Sequence, residues 1–354
     1  MNLFGKHLLT TQEWSVSEIE AVLGLADEMK KDRFSSKYTS LLLHKTFFMF
    51  FYNPSVRTRQ SFECAATELG GHAQFLEPSS MRLKTSKSAG ETNEDAAKVM
   101  SRYACGLGIR MLEDKVQKYG DGDAFLREYC QYGAIPVLSM AHDKYHPCQG
   151  FADVQGAREH LGGISGKKLL MVWGHGALAR SWCSVQESIL INSRLGMNVT
   201  LAYPKGYDLD PEVIANCKKN CQAAGTKFEI TNDPVECYRG ADIVYSRNWM
   251  SPHAYDPVEG FQKKREVEAA LKHAEWITDS KKMAVTNNAL YTHPMPVDRG
   301  HEVSDEVCSG PRSIIYDVAE NRLHVQKAIM ALTMSKFDYK PSGKSASKKH
   351  GVAA

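Results

Sequence analysis

The chain has 354 residues, 43% hydrophobic and 24% charged, with 44 basic against 41 acidic side chains and a formal net charge of +3. At roughly 150 residues per domain this composition suggests a globular protein of two domains and excludes a disordered chain, a coiled coil or a disulfide-stapled miniature. The charge is too even to call for a nucleic-acid partner, and the longest apolar run, Thr46 to Tyr52, is strand-sized, so no membrane partner is expected.

In chain order, Ser15-Val-Ser17 followed by Glu18 and Glu20 predicts a capped helix start, with Ile19, Val22, Leu23, Leu25 and Ala26 on one face as far as about Lys31. A buried strand is expected at 45–52, a turn at Asn53-Pro54-Ser55, and a helix from about Thr58 to Leu69 closed by Gly70-Gly71. The polar stretch from Pro78 to Asn93 reads as a loop long enough to suggest function. Helix 93–104, strand 107–111, helix 123–133 and strand 135–139 complete a first β/α set. Gly150 to Leu161 leads out of it as a helix, and Gly162-Gly-Ile-Ser-Gly166 is linker-like. Beyond, strands are expected at Lys168–Trp173, Asn198–Tyr203, Asp242–Ser246 and Ala284–Asn287, and helices at 181–194, Pro211 to Ala224 and Glu320 to Met334. This alternation predicts an α/β protein with two doubly wound parallel-sheet domains. Residues 336–354, with five lysines, read as a disordered basic tail.

The nine cysteines are odd in number and scattered, with no C-x-x-C pair, which fits free thiols in a reducing, cytoplasmic setting. Cys217 with Cys221 and His142 with His146 have helical i,i+4 spacing, but no completing ligands follow, so no metal is expected. Early acidic residues (Glu13, Glu18, Glu20) fit neither a transit peptide nor a secretory signal.

Four segments carry chemistry. Asn53-Pro-Ser-Val-Arg-Thr-Arg59 joins a buried strand to a helix start. Free N–H groups and a partial positive charge there suit an anion, and hydroxyls with a guanidinium fork complete a phosphate cradle; the plainer reading is a solvated helix cap. His146-Pro-Cys-Gln149 can aim two polar side chains at one carbonyl oxygen, although for this motif alone a buried, satisfied histidine is the favoured reading. His293-Pro-Met-Pro296 fixes a turn with exposed carbonyls, and Glu320-Asn-Arg322 opens the last helix. A fifth pattern, Gly174-His-Gly-Ala-Leu-Ala179, matches G-x-G-x-x-A, but the acidic residue a dinucleotide site needs about 20 positions later is missing.

Ser-x-Arg-Thr-Arg, Gly108-Ile-Arg110, His-Pro-x-Gln, His-Pro-x-Pro and Glu-Asn-Arg, in that order, resemble the aspartate/ornithine carbamoyltransferase family over about residues 8–335. Val318 to Ala331 and Met283 to Ala289 are most similar to its N-acetylornithine and N-succinylornithine branches. The resemblance implies transfer of the carbamoyl group of carbamoyl phosphate to the amine of ornithine, an N-acylated ornithine or a related diamino acid, without cofactor or metal. It implies that Ser55, Arg57 and Thr58, with the backbone of Val56 and Arg59, hold the phosphate. Arg110 would bridge phosphate and carbonyl, His146 and Gln149 orient the carbamoyl group, and Met295 and Arg322 complete the site, with Arg57, Arg110, His146 and Gln149 catalytic. A homotrimer is implied, with a loop (Lys84, Ser86, Lys87) entering a neighbouring subunit's site; Ala89 stands where the aspartate branch has lysine. For the second substrate the resemblance points to Ser139, Asp143, Arg247, Asn248, Trp249, His293 and Pro294. Residues 1–150 would form the carbamoyl-phosphate domain, with helix 320–335 packing back on it, and 151–319 the amino-acid domain. The spacing from Trp173 to Gly196 matches the knotted connection of the acylornithine branches, without its usual prolines. A non-catalytic relative that binds a ligand or partner, and a dinucleotide-binding oxidoreductase, are the alternatives.

Overall fold

The structure is a computed structural model that describes residues 1–81, 83 and 89–341. Lys84, Ser86, Lys87 and tail residues 342–354 therefore lie outside the described residues.

The run Phe-Phe-Met-Phe-Phe makes β1 (Thr46–Phe51), buried along nearly its whole length. A strand without polar alternation belongs inside a parallel sheet covered on both faces. β1 accordingly lies between β2 (His72–Leu76) and β3 (Gly106–Met111), and β4 (Val137–His142) completes a four-stranded parallel sheet of order β2-β1-β3-β4. Its helices are α1 (Val16–Lys31), α2 (Val56–Glu68), α3 (Asn93–Tyr103), α4 (Asp121–Tyr132) and α5 (Pro147–Leu161). The expected capping box of α1 is present: Ser15 and Glu18 satisfy each other's backbone N–H groups.

The second sheet is parallel too, in the order β11-β8-β5-β6-β7. Its strands are β5 (Lys168–Trp173), β6 (Asn198–Ala202), β7 (Phe228–Thr231), β8 (Ile243–Arg247) and β11 (Leu290–Thr292); a small hairpin, β9 (Tyr255–Asp256) and β10 (Gly260–Phe261), stands apart. The helices of this half are α6 (Cys183–Arg194), α7 (Pro211–Ala224), α8 (Lys263–Ala270), α9 (Ser280–Met283) and α10 (Asp305–Cys308). The last helix, α11 (Ile315–Met334), returns to pack on α1, α2 and α5. The Lys327 ammonium, buried there, bonds the Arg33 carbonyl and Glu68.

The elements depart from expectation in several places. β2 and β7 are half-exposed edge strands without an apolar run, so periodicity gave no signal for them. Residues 284–287 form no strand: Asp279 caps α9 by accepting from Lys282 N, turns follow, and the strand comes later at β11. β4 runs on to His142, which puts Ser139 inside the sheet. The polar stretch at 78–93 opens with a short 3-10 turn at Pro78–Ser80. Tyr339, expected to lie in the tail, is instead buried against α1, where its hydroxyl donates to Glu28 Oε1 at 2.9 Å.

Candidate active site

The loops that follow the carboxyl ends of β1, β3, β4, β5, β8 and β11 converge on one cavity of about 300 Å³, the place where open α/β sheets bind ligands. Arg57, Arg110, Arg180, Arg247 and Arg322 line it, with Ser55, Thr58, Glu113, His146 and Met295 among the other wall residues.

The phosphate cradle is built at the start of α2. Ser55 is its N-cap, in extended conformation; its Oγ accepts from Thr58 N at 3.4 Å and donates to Thr58 Oγ1 at 3.0 Å. Asn53 ties this turn to the loop after β3 by accepting from Leu112 N at 2.8 Å. The first N–H groups of a helix have no partner within it, and Val56 and Arg57, which open α2, both line the cavity, so their amides are candidate donors for an anion. Arg59 departs from expectation in both its parts. Its amide donates to Ser55 O, and its side chain turns outward to Glu63 (2.8 Å) and the face of Phe75.

Arg322 closes this end of the cavity. Its Nη1 donates to Gln149 Oε1 at 3.0 Å and its Nη2 to Thr58 Oγ1 at 3.3 Å, while Nε has no protein partner. Gln149 thus sits behind Arg322, off the cavity wall. His146 is the N-cap of α5 and its imidazole lines the cavity with Nδ1 unpartnered. Burial, reinforced by Arg322, Arg110, His142 and Arg247, pushes its pKa well below the usual histidine value, so the ring is neutral. Burial also lowers Arg322 and Arg180 to about 10, which leaves both charged at neutral pH.

At the other end, Arg247 and Arg180 present buried N–H groups without partners. Behind them lies Glu302, fully buried and 4.0 Å from Arg247. Its Oε1 accepts from Asn248 N at 2.7 Å and its Oε2 from Asp298 N at 2.8 Å. His293 Nδ1 accepts from Met295 N at 2.8 Å, so its Nε2 carries the proton and donates to Glu302 at 3.0 Å. Burial would raise the Glu302 carboxyl, but His293, Arg247 and Arg180 outweigh it and hold the group far below the ordinary carboxylate range. Burial lowers His293 to about 4, against the pull of Glu302. This scaffold sets the Pro294-Met295-Pro296 turn, with Met295 at a φ of 58°, along the wall.

The other residues expected to meet a second substrate do not reach this wall. Ser139 Oγ bonds His142 Nδ1 at 2.7 Å inside the sheet. Asp143 caps α4, accepting from Gly120 N (2.6 Å) and Asp123 N (3.2 Å). Asn248 donates to Gly174 O and Trp249 to Tyr207 O, both buried. His293 acts from behind, through its turn. Conversely Arg180, Glu113 and Glu302 went unnoticed in the sequence, because isolated charged residues in loops carry no periodicity. The Gly174–Ala179 pattern ended one residue short of Arg180.

That glycine loop does not form a dinucleotide site. α6 begins nine residues after Gly174 rather than on the loop, and Asp298 already accepts from Ala177 N at 2.9 Å where a pyrophosphate would lie. Among the described residues no group of three or more His, Cys, Asp or Glu side chains is placed to hold a metal ion, and no helix is long and apolar enough to cross a membrane.

Comparison with known proteins gives a consistent match. The family profile "Aspartate/ornithine carbamoyltransferase, carbamoyl-P binding domain" matches residues 6–159, and its "Asp/Orn binding domain" matches 165–333. The chain is 34% identical to the ornithine carbamoyltransferase of Thermococcus kodakarensis over 342 residues, covering 94% of this chain and 98% of that one. It is also 34% identical to the N-acetylornithine carbamoyltransferase of Xanthomonas campestris over 339 residues, covering 92% and 97%. The crystal structure of an acetylornithine transcarbamylase complexed with acetylcitrulline superposes with a TM-score of 0.85 at 33% identity, covering 92% of this chain and 98% of that one. A variant complexed with carbamyl phosphate and N-succinyl-L-norvaline gives 0.84, with 92% and 99% covered.

Proposed function

The chain belongs to the aspartate/ornithine carbamoyltransferase family, and from that membership we propose that its cavity transfers the carbamoyl group of carbamoyl phosphate to the side-chain amine of ornithine, an N-acylated ornithine or a related diamino acid. One observation carries the residue-level reading: five guanidinium groups converge on one cavity, and four of them leave buried N–H donors unpaired. Such donors demand acceptors, and a phosphate dianion with a substrate carboxylate supplies them.

Ser55, Thr58, Arg57, Arg322 and the amides at the start of α2 take the phosphate. Arg110 reaches from the end of β3 to the oxygen between phosphate and carbonyl, and the neutral His146 donates to the carbonyl oxygen. Arg247 and Arg180 take the acceptor's carboxylate. The neutral amine attacks the carbonyl carbon, the oxyanion of the tetrahedral intermediate is stabilised by Arg110 and His146, and the C–O bond to phosphate breaks. Phosphate leaves with the proton lost by the amine. Catalysis is by positioning and fixed charge. Residues 1–150 with α11 serve as the carbamoyl-phosphate half and 151–319 as the acceptor half. Family membership supports a homotrimer in which a neighbouring subunit's loop completes the site, and the unpaired state of all nine cysteines supports a cytoplasmic setting.

The test is phosphate release from carbamoyl phosphate in the presence of ornithine, N-acetylornithine, N-succinylornithine and simple diamines. Release that depends on at least one amino-acid acceptor, with a ureido product, is expected. Tight binding of carbamoyl phosphate without turnover on any acceptor would instead mark a non-catalytic relative.

A further inference from the structure

Behind the cavity wall α5 is clamped between two helices. At Gly150 a Cβ would lie 2.9 Å from Glu187 Cγ of α6, and at Gly156 one would lie 2.6 Å from Val318 Cγ2 of α11. Approach this close leaves no room for water, and Gln149 and Asp153, one turn apart on α5, are 2% and 5% exposed. Gln149 Nε2 donates to Asp153 Oδ1 at 2.8 Å, while its Oε1 accepts from Arg322 Nη1. A guanidinium only donates and a carboxylate only accepts, so the two neighbours impose one and the same orientation on the amide. From Arg322 the line continues to Thr58 Oγ1 and so to the N-terminus of α2, and the remaining Arg322 N–H, at Nε, is left unpaired.

We propose that Asp153 is a positioning residue for carbamoyl phosphate: its carboxylate fixes the Gln149 amide, and the amide fixes the Arg322 guanidinium that meets the phosphate. The assignment rests on the reading of the α2 end as the phosphate site. Asp153 touches no substrate and acts only through this line. Its charge also balances Arg322 in a place with little other acid to do so; the second carboxyl nearby, Glu187 on α6, is turned toward Thr11, whose amide donates to it at 2.9 Å.

The line is sensitive to protonation. Burial raises the Asp153 carboxyl to about 7; Glu187 adds to the rise, while Gln149, Arg322 and Ser188 oppose it. Tyr245 of β8 also faces Asp153, and its phenol stays neutral because burial raises it far above its ordinary value. Above about pH 7 the carboxylate accepts from Gln149 Nε2. Below it the proton can sit on Oδ2, the carboxyl oxygen without a partner, so Oδ1 still accepts from Gln149 but the hydrogen bond loses its charge and weakens. Affinity for carbamoyl phosphate should therefore fall as pH drops from about 8 to about 6.

The test measures carbamoyl-phosphate affinity by calorimetry, and KM and kcat for both substrates, in the wild type, Asp153→Ala and Asp153→Asn. Asp153→Ala should weaken carbamoyl phosphate by about 10- to 100-fold, the scale of a lost charged hydrogen bond, with the KM of the acceptor unchanged. Asp153→Asn keeps a neutral acceptor for Gln149 without a titrating group, so at every pH it should bind as the wild type does near pH 6, more tightly than Asp153→Ala, and lose the pH dependence; it also decides the matter if Asp153→Ala does not fold. Wild-type affinity in Asp153→Ala, or an undiminished pH dependence in Asp153→Asn, overturns the assignment while leaving the phosphate site intact. A wild-type chain that binds no carbamoyl phosphate overturns the assignment and the phosphate-site reading together.

Discussion

Replacing His146 with alanine should lower kcat by about 10²–10³-fold, the usual cost of removing one oxyanion donor, while carbamoyl phosphate still binds. The imidazole is held at the N-cap of α5, lines the cavity and is 7% exposed. Because burial and the surrounding arginines push its pKa well below 6.5, it acts as a neutral donor, and the loss should be the same at pH 6 and pH 8. The same shift has a consequence for stability. An unfolded histidine takes up a proton near pH 6.5 and the folded one does not, so this residue costs stability as pH falls below that value, and His146→Ala relieves the cost. His146→Gln, which retains an N–H donor, should recover part of the rate. Steady-state kinetics at saturating substrates decide it, and a loss smaller than about tenfold would remove His146 from the oxyanion.

Glu302→Ala is expected to destabilise the fold by about 3–5 kcal/mol, the range found when one partner of a buried ion pair is deleted. The carboxylate is fully buried and serves His293, Arg247 and the amides of Asn248 and Asp298. Its removal takes the 4.0 Å counter-charge from the buried Arg247 guanidinium and leaves two amides without acceptors. Since its pKa is depressed in the folded state, Glu302 contributes stability that is fully present above the unfolded carboxylate value near 4.3. That contribution is lost as pH falls through the folded value. Glu302→Gln should therefore flatten the acid limb of a stability–pH curve while costing less than alanine at neutral pH. Urea unfolding at pH 7 reads the effect, and a loss below about 1 kcal/mol for Glu302→Ala would contradict the role given to it.

How much of this was legible in the sequence depended on whether the signal was local. The bounds of α7 follow from Pro211 at its first turn and Gly225 at its end, and β1 and β5 follow from unbroken apolar runs. Edge strands β2 and β7 have only half-buried faces, and Val285 with Thr286 imitates a strand although Val285 is exposed and Thr286 bonds Met283 O. The phosphate end of the site was readable because Ser55, Arg57 and Thr58 share a single turn. The acceptor end was not. Arg180 and Glu302 come from two separate loops and Arg247 from the end of β8, and only the fold makes them neighbours. Ser139 and Asp143, to which the resemblance pointed, are engaged elsewhere: β4 runs on to His142, Ser139 bonds that histidine inside the sheet, and Asp143 caps α4.

The central claim is direct transfer of a carbamoyl group between two substrates held in an arginine-lined cavity. The most direct measurement follows carbamoyl phosphate labelled in its carbonyl carbon, with the acceptor that gives phosphate release. Label should appear in a ureido product in step with phosphate and never on the protein; label retained by the chain, or phosphate released to water with no ureido product, would contradict the account.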